Sequence, residues 1–164
     1  MKHRRFLSPK HPAAGRARLS QRREMLVYVI FSVLWASGVG WLVFHNFLRQ
    51  PGEFGELPHP SEAWWLRLHG AASFATLWLI GVLWAVHLVP AWKARRRASG
   101  IVLSVVLAVL VLSGYLLYYA SGDEARGIIA LVHWIIGAAL PLFVLPHVLR
   151  GRHVMIVQGD RPAR

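Results

Sequence analysis

The sequence predicts an all-α integral membrane protein, an up-down bundle of four transmembrane helices with both termini in the cytoplasm. Three observations predict it. Apolar residues make up 55% of the 164-residue chain and charged residues only 16%. The apolar residues gather in four runs, each longer than the roughly 18–20 residues that cross a bilayer. The basic residues gather at alternate connections between those runs, as expected of spans that reverse direction under the positive-inside rule.

Residues 1–23 hold eight Lys or Arg together with Pro9 and Pro12, and are expected to form a basic, disordered cytoplasmic arm. The first span is expected over Glu24–Leu48. It is longer than a signal-peptide core and no A-x-A-like cleavage site follows it, so it is expected to stay as an anchor. The connection RQPGEFGELPHPSEA (49–63) has three prolines and two glycines and reads as a structured loop. The second span, Trp64–Trp92, carries Trp64 and Trp65 at one end and Trp92 at the other, the aromatic belt of a membrane interface. A loop with four basic residues, Lys93–Arg97, leads to the third span, Gly100–Ala120, which ends in Tyr115, Tyr118 and Tyr119. A short link leads to the fourth span, Gly127–Leu149. Residues 24–150 thus form the membrane domain and 151–164 a cytoplasmic tail.

The net charge of +12 is explained by where it lies. The arm, the 93–97 loop and the tail from Arg150 hold sixteen of the nineteen Lys and Arg, and the other connections hold Arg49, Arg67 and Arg126. Those other connections also hold five of the seven acids: Glu53, Glu56, Glu62, Asp123 and Glu124. The distribution suits contact with anionic inner-leaflet lipid and argues against nucleic acid as a partner. The chain has no cysteine, which excludes a Cys-ligated iron–sulfur cluster, a disulfide and covalent haem attachment.

Ionisable side chains inside spans are costly and mark function. The second span carries His69 and His87, 18 residues apart, which is about five whole turns and ~27 Å of rise along one face. The fourth carries His133 and His147, 14 residues apart, within roughly 40° of one face and ~21 Å of rise. Both spans run from outside to inside, so His69 and His133 are expected near the outer surface and His87 and His147 near the inner one. Each pair matches bis-imidazole ligation of haem iron, with one nitrogen on each side of the macrocycle. Two haem groups are therefore expected, the outer on His69 and His133 and the inner on His87 and His147. The two spacings differ by about one helical turn, which kinks at Pro90, Pro141 and Pro146 are expected to absorb.

Small residues beside the ligands, Ala72, Ser73 and Gly137, would let a flat macrocycle approach the helices, although small residues are also ordinary membrane packing. Arg67 and Arg126 on one side, and Lys93, Arg95 and Arg150 on the other, are candidate propionate contacts or equally snorkelling interface residues. A quinone would need an apolar pocket with a few polar groups, for which Tyr115, Tyr118, Ser73 and Glu62 are candidates. His45, at the end of the first span, is the spare candidate ligand. His59 and His153 are expected in loop and tail, and His3 and His11 in the arm.

The order LHG…G…H…W…R…SG…SGYLLYY…H…G…P…H…GR, over about residues 64–153, resembles small four-helix bacterial membrane cytochromes b long known as a domain of unknown function. It is more distantly similar to the cytochrome b subunits of membrane formate dehydrogenases and hydrogenases, whose last histidine-bearing helix also spaces two ligands by 14. Those relatives take one ligand from an early helix, where this chain has no buried histidine, so the carry-over stops at His133 and His147. The resemblance implies non-covalent b-type haem, electron transport and a bacterial inner-membrane location. Filled axial positions favour electron transfer over catalysis at the metal. The expected function is electron transfer between a quinone/quinol pool and a redox partner such as a cytochrome c or a larger membrane complex. The alternatives are a haem-free anchor or assembly subunit of a respiratory or photosynthetic complex, a His-relay transporter of protons or metal ions, and a quinol-linked reductase.

Overall fold

The structure, a computed structural model, describes residues 21–89 and 98–159. Four helices account for most of them: α1 (Gln21–Phe47), α2 (Glu62–Leu83), α3 (Ala98–Tyr119) and α4 (Asp123–Gly159). In lipid, a chain can satisfy its backbone polar groups only internally, and long proline-free apolar runs do so as helices. α1 begins at Gln21, so the end of the expected arm belongs to the helix. α4 runs on past the expected end of its span to Gly159. Each helix contains a stretch long and apolar enough to cross a membrane.

Two turns of backbone set the connections. Between α1 and α2 lies a small antiparallel hairpin, β1 (Gln50–Gly52) against β2 (Gly55–Leu57), with Gln50 opposite Leu57 and Gly52 opposite Gly55. Gly55 sits at φ +124°, where a side chain would be strained. α2 then starts on Ser61, with Glu62 in the first turn where a carboxylate complements the helix dipole. α3 passes into α4 through a link of three residues, 120–122, which Gly122 at φ +104° allows to reverse so tightly.

α1 packs on α2, and α3 on α4, as two antiparallel hairpins. Successive contacts climb one helix as they descend its neighbour: Gly38 meets His69 and Gly40 meets Trp65, while Gly100 meets His147 and Gly114 meets His133. The hairpins approach each other mainly where α1 meets α4, and there Trp35 Nε1 donates to the Ala138 carbonyl at 3.2 Å. Ala138 sits just before Pro141, the first of two prolines inside α4. Such prolines are tolerated in membrane helices because neighbouring helices compensate the freed backbone.

Among the described residues the buried apolar set is only Ala72, Leu79 and Leu140. Large apolar side chains point outward instead, Phe74 at 77% exposure and Leu142 at 71%. Such a surface would aggregate in water and is at home in hydrocarbon. The chain is a multi-pass membrane protein.

α2 has one irregularity. It passes at Trp84–Leu88 into a π-helical turn that contains His87. A π turn is wider and shorter than an α turn, and such turns concentrate at functional sites.

Candidate functional site

The outstanding feature inside the bundle is two pairs of imidazoles. His69 on α2 and His133 on α4 have ring centroids 6.3 Å apart with planes at 87°. His87, in the π turn, and His147 on α4 have centroids 6.1 Å apart with planes at 81°. The pairs lie at opposite ends of the membrane segment. The different spacings on the two helices do not keep the second pair apart. His87 lies in the π turn, which shortens the rise along α2, while α4 runs unbroken from His133 to His147 with Pro141 and Pro146 inside it. Pro90, also expected to contribute, lies outside the described residues.

Each well-anchored ring is held by the other helix of its own hairpin. His69 Nδ1 lies 3.0 Å from the Leu34 carbonyl and 3.2 Å from Ser37 Oγ, both on α1. A carbonyl only accepts, so Nδ1 carries the proton and Nε2 presents its lone pair. Ser37 is fully buried, and its own proton goes to the same Leu34 carbonyl at 2.9 Å. On the other hairpin, Ser113 Oγ donates to Val109 O at 2.7 Å and stands 3.2 Å from Leu110 O. With its one proton so committed, Ser113 accepts from His133 Nδ1 at 2.9 Å, and His133 Nε2 is again a bare lone pair. His147 Nδ1 stands 3.3 Å from Ser99 Oγ on α3.

A glycine follows each of these serines and leaves space for the ring. A Cβ at Gly38 would stand 3.0 Å from His69 Cε1, and one at Gly114 would stand 3.3 Å from His133 Cε1. Gly100 lies against His147 more loosely, at 3.8 Å. Three Ser-Gly dipeptides, 37–38, 99–100 and 113–114, thus form the seats of three histidines. Reading the chain for histidines alone misses them, because they sit on helices α1 and α3, which carry none of the four. The signal that could reveal them is the recurrence of Ser-Gly in otherwise apolar runs.

The other candidates fall into distinct places. Ala72 is buried, Ser73 Oγ turns back to the His69 carbonyl at 2.8 Å, and Gly137 faces Leu110 of α3. Arg67 is stacked over the Trp64 ring at 5.0 Å, and Arg126 is exposed in the first turn of α4. Arg150 lines a cavity of about 180 Å³ between α3 and α4 together with Ser99, Phe143, Pro146 and His147. Lys93 and Arg95 lie outside the described residues. Tyr115 packs on Tyr119 at 4.6 Å and Tyr118 is 82% exposed. His59 Nδ1 accepts the Ser61 backbone N–H at 3.1 Å. His45 joins neither imidazole pair; it bonds Glu62 at 2.7 Å and stacks on Trp41.

What such pairs can hold follows from their lone pairs. Two Nδ1-protonated imidazoles such as His69 and His133 cannot hydrogen-bond to each other through Nε2, and two lone pairs on rings this close suit a cation between them. Two imidazoles bound on opposite sides of one metal ion, at ~2 Å per bond, keep their centroids roughly 6 Å apart. Both pairs have that separation. Among the described residues no third His, Asp or Glu joins either pair as a metal ligand. A six-coordinate metal there would take its remaining ligands from a macrocycle. The residues therefore fit bis-histidine haem. Compared with known protein families, curated proteins and solved structures, the chain matches none.

Proposed function

We propose that this protein is a membrane dihaem b-type cytochrome that passes electrons across the bilayer between a quinone/quinol pool and a redox partner protein. The observation that carries the reading is the pair of imidazole pairs, 6.3 and 6.1 Å between centroids, at opposite ends of the same two helices. His69 and His133 would hold one haem, and His87 and His147 the other. Haem iron held there would supply one-electron redox chemistry. The chain's own contribution is positional. Leu34, Ser37 and Ser113 fix the tautomer of the ligands, Gly38 and Gly114 seat the rings, and the hairpins hold the pairs at two depths. Among the described residues, Arg150, which lines the same cavity as His147, is placed to contact a propionate at that end.

The basic asymmetry supports an orientation with both termini in the bacterial cytoplasm. The His69–His133 pair is then at the outer surface and His87–His147 at the inner one. Reporter fusions at residue 164 and in the 49–61 hairpin test this. A cytoplasm-active reporter works only at the first position if the orientation is right.

The decisive experiment is haem content and reduced-minus-oxidised spectra of the purified protein and its four His→Ala variants. His69→Ala and His133→Ala should remove the same haem, and His87→Ala and His147→Ala the other. Removal of different haems by His69→Ala and His133→Ala would overturn the pairing. A second reading has an observation of its own. The Nδ1 hydrogen bonds to α1 and α3 are what purely structural histidines in a haem-free anchor would make. Such an anchor leaves unexplained why the rings also face each other across the two hairpins. Absence of extractable haem would decide for it.

A further inference from the structure

We propose that His45 and Glu62 form the proton-accepting end of a binding site for a hydroquinone headgroup, at the mouth of the α1–α2 hairpin. The electron acceptors in this proposal rest on the dihaem reading above; the site itself does not.

His45 lies in the last turn of α1 and Glu62 in the first turn of α2. Their Nδ1 and Oε1 atoms are 2.7 Å apart. A carboxylate only accepts, so Nδ1 carries a proton, and in the neutral ring Nε2 is the acceptor. The His45 side chain is 41% exposed, while that of Glu62 is only 15% exposed. The arrangement is that of a general base whose orientation is held by a buried carboxylate. Trp41 stacks on the imidazole at 4.6 Å with planes at 15°, which fixes the ring from its face. The second carboxylate oxygen, Glu62 Oε2, is buried without a hydrogen-bond partner.

Position selects the substrate class. His45 is seven residues from Gly38, and Glu62 is seven from His69, each about two turns and ~10 Å of rise along the same seam. A proton acceptor therefore stands just beyond the His69–His133 pair, at the end of two membrane helices. Phe44 and Trp65, with ring centroids 6.0 Å apart, give the same mouth an aromatic wall. A ligand reaching it from the bilayer with a proton to give and a flat ring to stack is a hydroquinone. In the balanced reaction the hydroquinone loses two protons and two electrons to become the quinone. The first hydroxyl proton passes to His45 Nε2 and the second to water at that surface. The two electrons would pass singly to two one-electron acceptors, which haem held by the His69–His133 and His87–His147 pairs would supply.

The test uses the full-length protein in lipid nanodiscs with a decyl-chain ubiquinone and its reduced form. Quinone binding is read by quenching of tryptophan fluorescence, and haem reduction by stopped-flow absorbance. His45→Ala is expected to weaken quinone binding and slow hydroquinone-driven reduction roughly 100-fold, the usual contribution of a general base. Glu62→Gln, which keeps the shape and the hydrogen bond, is expected to slow reduction while leaving binding within about twofold. Dithionite should reduce wild type and both variants alike. Wild-type binding and wild-type hydroquinone kinetics in both variants, with full haem, would overturn the proposal. A wild-type preparation without haem overturns the dihaem reading instead, and the site then stands or falls on the quenching titration.

Discussion

A histidine that binds a metal needs its second nitrogen committed elsewhere, and the Ser-Gly seats supply that commitment residue by residue. Ser37 and Leu34 hold His69, and Ser113 holds His133, each with the proton on Nδ1. Outer partners of this kind are typically worth about 10–100-fold in metal affinity. Ser113→Ala should therefore weaken haem retention by about that factor at the His69–His133 end, read as haem loss to an excess of apomyoglobin, with the other centre unchanged. Gly38→Val should act through space rather than through hydrogen bonding. Its Cβ would stand 3.0 Å from His69 Cε1, so the ring must swing away from His133. The expected outcome is one haem per polypeptide in place of two, with the His87–His147 spectrum retained. Unchanged haem content in Gly38→Val would mean that the ring has room the contacts do not indicate.

Among the elements, the π turn at Trp84–Leu88 has the largest consequence for the site. His87 lies inside it, and its ring stands 6.1 Å from that of His147 although the histidine spacings on the two helices are 18 and 14. Helix association within the membrane has a different source. Lipid tails are as apolar as leucine, so packing and interhelical hydrogen bonds replace the hydrophobic effect. The Trp35–Ala138 bond ties α1 to α4 where the hairpins meet. Trp35→Phe should cost about 1 kcal/mol, measured as a lower unfolding midpoint in mixed detergent.

For the whole molecule, the sparse contact between the hairpins has a thermodynamic corollary. The α1–α2 and α3–α4 hairpins pack closely within themselves and meet each other over little area. A ligand that bridged α2 to α4, as haem would in the proposed reading, would hold the halves together, and binding only to the folded state adds about 2.7 kcal/mol at 100 times the dissociation constant. Apoprotein prepared by growth without haem synthesis should melt well below the haem-loaded protein. Added haem should restore the midpoint in a concentration-dependent way. Equal midpoints with and without haem would show that the bundle is complete without a bridging ligand.

The four spans were legible in the sequence because hydrocarbon permits so few structures: an apolar run of bilayer length has to be a helix. The pairing of His69 with His133 and His87 with His147 was also foreseeable, since helical periodicity puts 14 and 18 residues near one face. Periodicity assumes a regular helix, however, and could not show the π turn that contains His87. Nor could it show the seats at Ser37-Gly38, Ser99-Gly100 and Ser113-Gly114, because they lie on the neighbouring helix and become seats only at one register of packing. The same holds for His45 and Glu62, which are 17 residues apart and meet only because α1 and α2 fold back on each other. Local chemistry and the bilayer determined which segments are helices and which faces carry histidine. Tertiary packing alone decided which ring nitrogen is free, because that depends on what the adjacent helix offers to the other one.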